Sequence, residues 1–416
     1  MLIYNVSQLL TLAGGPQRGS QLGDLHIINN GAVLVQQDLI AAVGSSSELR
    51  GRYPNEPCLD AMGSVVMPGF VDPHTHLIWA GDRSAEFEMR LQGKTYLEIL
   101  AAGGGILSTV RATRSASLVD LKAQTLSRMR SMFRQGTTTA EVKTGYGLDI
   151  ETELRLLQAI VELNSENLID LVPTFMGAHA IPEEFRNNSD GYVAELCGNM
   201  LPNVEAWWKL RCPESPLPFV DVFCENEAFT LQQSTKILTA ARDMGFALKI
   251  HADEFANLGG TTLAVQLGAV SADHLVKISP GEIRALANSQ TVAVALPCTP
   301  FGLADAYYTP AKAILEAGGV LALASDINPG GAWCESMQFV LSLACRYMHL
   351  TPAQAIAAAT INAAAAIRRS DSIGSLEPGK KADILILNVN DYRHLGYRFG
   401  TNLVQTVVKN GIVYQF

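Results

Sequence analysis

Between residues 65 and 326, short and almost wholly apolar runs alternate with longer stretches of helical period. Eight such runs begin near Val65, Thr137, Leu171, Phe219, Phe246, Ala269, Thr291 and Leu321. Short runs without an exposed polar face read as buried parallel strands. The stretches between them carry helix signals. Ser117 with Asp120 predicts a capping box, apolar residues recur at Leu118, Leu121, Met129 and Met132, and Gly136 predicts the stop. Strand and helix alternating eight times predict an α/β chain with a (β/α)8 barrel, whose functional groups collect at the C-terminal strand ends. The flanks differ. Asn30-Gly31 and Asn410-Gly411 each sit between strand-like runs, the signature of a type I′ hairpin. With the apolar run 382–387 they predict a small β-sandwich built from both termini. The expected division is a composite domain, 1–64 plus 377–416, and a barrel domain, 65–376.

Composition narrows the class of protein. At 48% hydrophobic and 17% charged residues, the 416-residue chain can bury a large core and is not a disordered one. No run of about twenty apolar residues predicts a membrane span. The opening MLIYNVSQLLTL alternates like a strand and lacks a basic leader region, so a cytoplasmic protein is expected. The seven cysteines form no C-x-x-C pair, and Cys197, Cys224, Cys298 and Cys345 have apolar neighbours, which predicts reduced, buried thiols. A net charge of −9 argues against nucleic acid as a partner. It leaves room for a small anionic substrate, which one arginine can hold.

The chemistry is written at the ends of the apolar runs. His74 and His76 close the first, and residues i and i+2 of a strand face the same side, so both can reach one metal ion. His179, His251 and His274 close three further runs, and Asp326 closes the last with an oxygen ligand suited to zinc or iron beside imidazoles. The bland alternative, core histidines plus a capping aspartate, requires ligand-type groups to reach five equivalent strand ends by accident. His26, His349 and His394 fit no such pattern and read as structural. His74, His76, His251 and Asp326 supply four donors for a metal that would lower the pKa of a water to about 7. Glu254, three residues after His251, is placed to move protons, the rival being a surface glutamate at a helix start. His274 and Asp326 could share a hydrogen bond that orients the water or polarises a substrate carbonyl; direct metal ligation by His274 stays open. The fourth run ends in Glu225 without the lysine that a carbamate-bridged pair of metals would need, so one metal ion is expected.

These residues resemble the amidohydrolase superfamily, and within it the branch that opens the lactam ring of 4-imidazolone-5-propanoate in histidine degradation. The markers are PHTHLIWAGDR (73–83), the Gly-rich AAGGGILSTVRATR (101–114), EVKTGYGL (141–148), MGAHA (176–180), KIHADEF (249–255), SADHL (271–275) and SDINPG (325–330), spread over nearly the whole chain. Arg83, Tyr146 and HADEF are the narrow part of the match. The resemblance implies a distorted barrel, one divalent metal with zinc slightly ahead of iron, and release of N-formimidoyl-L-glutamate. It assigns Glu254, His274 and Asp326 to catalysis, and Arg83, Tyr146, His179, Glu254, Asn328, Gly330 and Gly331 to the substrate. Arg83 would clamp the carboxylate through a bidentate fork. Gly331 departs from the serine or threonine usual after NPG, which removes a hydroxyl and leaves a backbone N–H. Enzymes of this kind are commonly homodimers. The rival readings are a cytosine- or guanine-deaminase-like ring deaminase, separable by ammonia release, and a metal-free scaffold, separable by metal content.

Overall fold

The structure is a computed structural model and describes residues 1–94, 98, 103–166 and 168–416; Ala101 and Ala102, which open the Gly-rich run, lie outside them. Among the described residues sixteen strands form two sheets. The terminal sheet takes β1 (Leu2–Leu10), β2 (Ile27–Gln36), β3 (Leu39–Ser45), β4 (Cys58–Asp60) and β5 (Val65–Pro68) from the start of the chain. The other sheet holds β6 (Phe70–Asp72), β7 (Thr137–Lys143), β8 (Asp170–Ala178), β9 (Phe219–Cys224), β10 (Ala247–Ala252), β11 (Ser271–His274), β12 (Val292–Ala295) and β13 (Leu321–Leu323). From the end of the chain, β14 (Ile384–Leu387), β15 (Val404–Lys409) and β16 (Ile412–Gln415) rejoin the terminal sheet, β14 pairing with β5.

β6 to β13 pair in sequence order, every neighbour parallel, which is the expected barrel. One expectation is corrected. The run at Val65 does not start the first barrel strand; Val65–Pro68 pairs with β1 and β14, and the barrel begins at Phe70. Gly69 separates the two uses of the run, because a Cβ there would lie 2.9 Å from the Thr138 Cβ. Between β13 and β6 the closing seam is irregular. Ser325 N–H donates to Asp72 Oδ1 (3.0 Å), Asp326 N–H to His74 O (3.1 Å) and His76 N–H to Ile327 O (3.0 Å).

Local signals explain most of the elements. Ser117 caps the helix Leu118–Arg134 by accepting from Asp120 N–H at 3.1 Å. Asp120 bonds the Ser117 hydroxyl rather than the cap's backbone, since its side chain is a methylene shorter than that of the glutamate of a full box. Gly136 follows the helix at φ +97°. Asn410-Gly411 is the two-residue turn between β15 and β16, both residues at positive φ. Asn30-Gly31 is not a turn. It lies inside β2, opposite an irregularity in β1, and Gly31 is there because a Cβ would come 2.6 Å from the Leu9 Cβ. The chain turns instead at Gln37 and Asp38. The seven cysteines are free thiols, with Cys224 and Cys298 buried and Cys197 and Cys345 half-buried. Among the described residues no helix is long and apolar enough to cross a membrane.

Candidate active site

The segment after β6 carries His74 and His76 beyond the strand rather than on it. Pro73 has no N–H to extend a ladder, and the extended backbone pairs across the seam with the residues after β13. His179 directly follows β8, His251 lies in the last turn of pleat of β10, and His274 is the final residue of β11. Asp326 sits just past β13. His274 and Asp326 are held at φ +78° and +55°, left-handed conformations that cost non-glycine residues about 1–3 kcal/mol each and that collect at functional sites. His26, His349 and His394 lie elsewhere, the first two exposed.

Five of the expected groups meet in one buried cluster. His76 Nε2 is 3.2 Å from His251 Nε2, and Asp326 Oδ1 is 3.4 Å from His74 Nε2 and 3.5 Å from His76 Nε2. Ligand-type atoms of His74, His251 and His274 lie within 4.8 Å of one another, as do those of His74, His76 and Asp326. Burial, then Lys143 and the neighbouring imidazoles, push His74 well below its ordinary range, and burial with its neighbours does the same for His76 and His274. The rings are therefore neutral, the form that binds metals. Asp273 Oδ2 accepts from His74 Nδ1 at 2.7 Å, and Asp221 Oδ2 lies 3.1 Å from His251 Nδ1. The Asp273 carboxylate fixes the His74 tautomer that turns Nε2 inward, and Asp221 stands beside the outer nitrogen of His251. His74 Nε2 and Asp326 Oδ1 are buried with no hydrogen-bond partner. Two imidazole nitrogens at 3.2 Å and an orphaned carboxylate oxygen beside them fit a cation.

Beside the cluster, Glu254 Oε1 is 3.5 Å from His274 Nδ1. Burial, then the charges of Asp326 and Glu225, push Glu254 well above the usual carboxylate range, so it is a group able to hold a proton near neutral pH. Asp326 is raised to about 6 by burial, against a hydrogen bond from Thr299 Oγ1 at 2.5 Å. It forms no hydrogen bond with His274 among the described residues. The Tyr146 ring centroid is 5.2 Å from that of His179 and 6.0 Å from that of His76, and His179 Nδ1 donates to Gly145 O at 3.0 Å. Arg83, Tyr146, His179, Glu254, Asn328, Gly330 and Gly331 line the same cavity of roughly 500 Å³ as His76, His251, His274 and Asp326.

Two placements refine the expected substrate contacts. Arg83 already holds a carboxylate: Nε donates to Glu86 Oε2 at 3.0 Å and Nη2 to Glu86 Oε1, while the Nη1 edge, beside Gly330, has no partner among the described residues. Asn328 braces its own loop, accepting from Gly330 and Gly331 N–H at 2.8 Å each and donating to Asp326 O at 2.7 Å.

The expectations from sequence omit what lies beneath the histidines. Lys143 Nζ is 2.7 Å from both Glu141 and Asp221 and 3.8 Å from Asp273; Lys249 Nζ donates to Pro73 O at 2.7 Å and lies 3.7 Å from Glu141. All five side chains are fully buried, so the barrel interior under the site is ionic. Glu225, singled out above only for not being lysine, accepts from Phe255 and Ala256 N–H at 2.8 and 3.1 Å and so shapes the loop that carries Glu254. A readable signal exists: Glu141 with Lys143 and Lys249 with His251 are polar i, i+2 pairs inside runs that are otherwise apolar or small.

Comparison with known proteins agrees with this geometry. Residues 65–413 match the model of the Amidohydrolase family, and residues 31–55 match that of an imidazolonepropionase-like composite domain of bacteria. A protein of Herpetosiphon aurantiacus named imidazolonepropionase is 52% identical over 99% of this chain and 96% of its own length. One of Chloroflexus aggregans with the same name is 46% identical over 99% and 98%. Among solved structures, a zinc-bound adenosine deaminase from Xanthomonas campestris superposes with a TM-score of 0.73 at 18% identity, covering 99% of this chain and 92% of that one. Guanine deaminase of E. coli gives 0.72 at 15%, covering 100% and 99%. At these identities the two structures speak for the fold alone.

Proposed function

The chain belongs to the amidohydrolase family, in its imidazolonepropionase branch, and from that premise we propose that it hydrolyses the lactam C–N bond of 4-imidazolone-5-propanoate to give N-formimidoyl-L-glutamate. The observation that carries the reading is one cavity lined both by the inward imidazoles and Asp326 and by Arg83 and Tyr146, a hydrolytic centre next to a carboxylate receptor. His74, His76, His251 and Asp326 are the residues to hold one divalent ion, zinc in preference to iron, with His274 beside them. When bound, the ion makes a water a strong nucleophile at neutral pH and polarises the carbonyl.

The chain's own residues do the rest. The Nη1 edge of Arg83 and the hydroxyl of Tyr146 take the propanoate carboxylate, and His179 Nε2, left free by the bond from Nδ1, faces the ring. Asn328, Gly330 and Gly331 form the opposite wall; the missing Gly331 side chain leaves only its N–H there. Glu254 accepts the proton of the attacking water and returns it to the departing ring nitrogen, so the C–N bond breaks without a free anion. His274 stands 3.5 Å from Glu254 and steadies the oxygen charge that develops at the carbonyl. Asp326 is held by Thr299 and orients the water.

This reading includes a homodimer acting in the cytoplasm, and a composite terminal unit (1–64 with 377–416) against a barrel unit (65–376). Sheet membership supports two such units, with Val65–Pro68, paired to β1 and β14, on the terminal side of the first boundary. A ring deaminase rests only on fold likeness. The test is to follow the ultraviolet absorbance of freshly made 4-imidazolone-5-propanoate with metal-replete enzyme while assaying both products. Loss faster than spontaneous decay, with formiminoglutamate and no ammonia, is expected; no acceleration over the enzyme-free control refutes the assignment.

A further inference from the structure

The turn that carries Tyr146 has an unusual interior. Gly145, Gly147 and Leu148 all direct their N–H groups at one carboxylate, that of Glu153, at 3.1, 2.8 and 2.9 Å. Glu153 is fully buried near the start of the helix Ile150–Asn164, and no cationic side chain pairs with it among the described residues. An ionised carboxylate stranded in a core costs several kcal/mol, and the Thr144 hydroxyl, these three N–H groups and the helix N-terminus offset that cost. The sequence is cut to fit it. Gly145 sits at φ +105°, and a Cβ on Gly147 would lie 2.8 Å from Glu153 Oε1.

A carboxylate used only to brace a turn would have no bearing on the cavity, yet this turn has two outputs there. The Tyr146 hydroxyl forms no hydrogen bond among the described residues although the residue is 3% exposed, so the backbone of the turn and the rings of His179 and His76 beside it aim it. The Gly145 carbonyl takes the Nδ1 proton of His179, which fixes that ring's tautomer and leaves Nε2 toward the cavity. We propose that Glu153 is a positioning residue: clasped by the N–H groups of Gly145, Gly147 and Leu148, it sets where the Tyr146 hydroxyl and His179 Nε2 stand in the substrate cavity. The inference rests on the proposed function only in taking Tyr146 and His179 as groups that touch the substrate.

The experiment compares wild type, Glu153→Gln, Tyr146→Phe and the double variant as metal-loaded enzymes. An amide turns an N–H against the turn's N–H groups, so Glu153→Gln is expected to raise KM by about tenfold with kcat changed less. In the Tyr146→Phe background that rise should shrink at least about threefold, because the two residues act as one unit. Equal fold-changes in both backgrounds, or a fall in kcat with KM unchanged, overturn the proposal. Should Glu153→Gln fail to fold, Gly147→Ala presses the turn off the carboxylate with Glu153 intact and is expected to raise KM likewise; an unchanged KM overturns the proposal. A readout without substrate separates this inference from the functional one. The ¹⁵N spectrum of the His179 ring should show a single tautomer protonated at Nδ1 in wild type and a mixture in whichever of the two variants folds. A spectrum unchanged from wild type overturns the positioning role even if the wild type hydrolyses the imidazolone. Absence of turnover by wild type, with the tautomer shift present, overturns the substrate and leaves Glu153 in place.

Discussion

Replacing Lys143 with methionine keeps the apolar stem and removes the charge from the ionic interior, which isolates one term of the barrel's stability. Its Nζ lies 2.7 Å from Glu141 and from Asp221, and 3.8 Å from Asp273, with every partner fully buried. Burial opposes the charge, but Asp221, Glu141 and Asp273 outweigh it and hold the ammonium above its ordinary range. Removing one member of a buried pair typically costs about 3–5 kcal/mol, since the partner is left charged and unsolvated. Two carboxylates are stranded here, while proton uptake by one of them limits the loss, so about 3–5 kcal/mol is the expected cost. Lys249 provides the internal comparison. Its one short contact is the bond to Pro73 O at 2.7 Å, with Glu141 and Asp273 at 3.7 and 3.8 Å, so Lys249→Met should cost about 1.5–3 kcal/mol. The assay is urea unfolding of chelator-treated protein, followed by circular dichroism and tryptophan fluorescence, so that metal binding adds nothing to the difference. Raising salt to about 1 M should change the Lys143 cost little, because buried pairs are poorly screened. A cost for Lys143→Met below about 1 kcal/mol, or below that of Lys249→Met, would refute the reasoning.

Other predictions are independent of that one. Glu254→Gln should lower kcat by at least about 10²-fold, the scale of general acid–base work; activity within a few-fold of wild type removes Glu254 from the proton path. In Gly330→Ala the new Cβ would collide with Arg83 Nη1 and lie 3.0 Å from its Cζ, so KM should rise several-fold with the overall fold intact, and an unchanged KM would show that Arg83 does not hold the carboxylate. At the base of the barrel, burial raises Asp170, but Lys409 at 3.0 Å and Lys381 at 2.8 Å outweigh it and lower the carboxyl below its usual range. A depressed carboxyl stabilises the fold above its unfolded pKa of about 3.9 and loses that contribution as pH falls. The stability lost in Asp170→Asn should therefore be largest above about pH 5 and vanish in strong acid; a difference that grows as pH falls would reverse the sign and the argument.

Much of the fold is legible because its signals are local and repeated. Runs that end in a chemically capable residue announce both a strand and its functional end, which is why His179, His251, His274 and Asp326 fall where the pattern puts them. What cannot be read locally is which sheet a strand joins. Val65–Pro68 and Phe70–Asp72 form one apolar run in sequence, and only pairing with β1 and with β14, the latter more than 300 residues away, assigns the first part elsewhere. The two Asn-Gly pairs make the same point. Asn410-Gly411 is a turn because strand partners flank it, while Gly31 answers to the close approach of Leu9. In the site, residues with a characteristic chemistry are visible, whereas their supports are not. Asp221, Asp273 and Lys143 come together only when three strands face one interior, and Glu86 takes one edge of Arg83 only once the helix Ser84–Leu91 has formed.

The central claim is that the oxygen of water enters the lactam carbonyl carbon while the ring nitrogen stays in the product. Turnover of 4-imidazolone-5-propanoate in ¹⁸O-enriched water, with mass spectrometry of the product, reads both at once. The expected product is N-formimidoyl-L-glutamate carrying one heavy oxygen in its newly formed carboxylate, with no ammonia. Ammonia appearing with a ring-retaining product, or formiminoglutamate without the label, would contradict it.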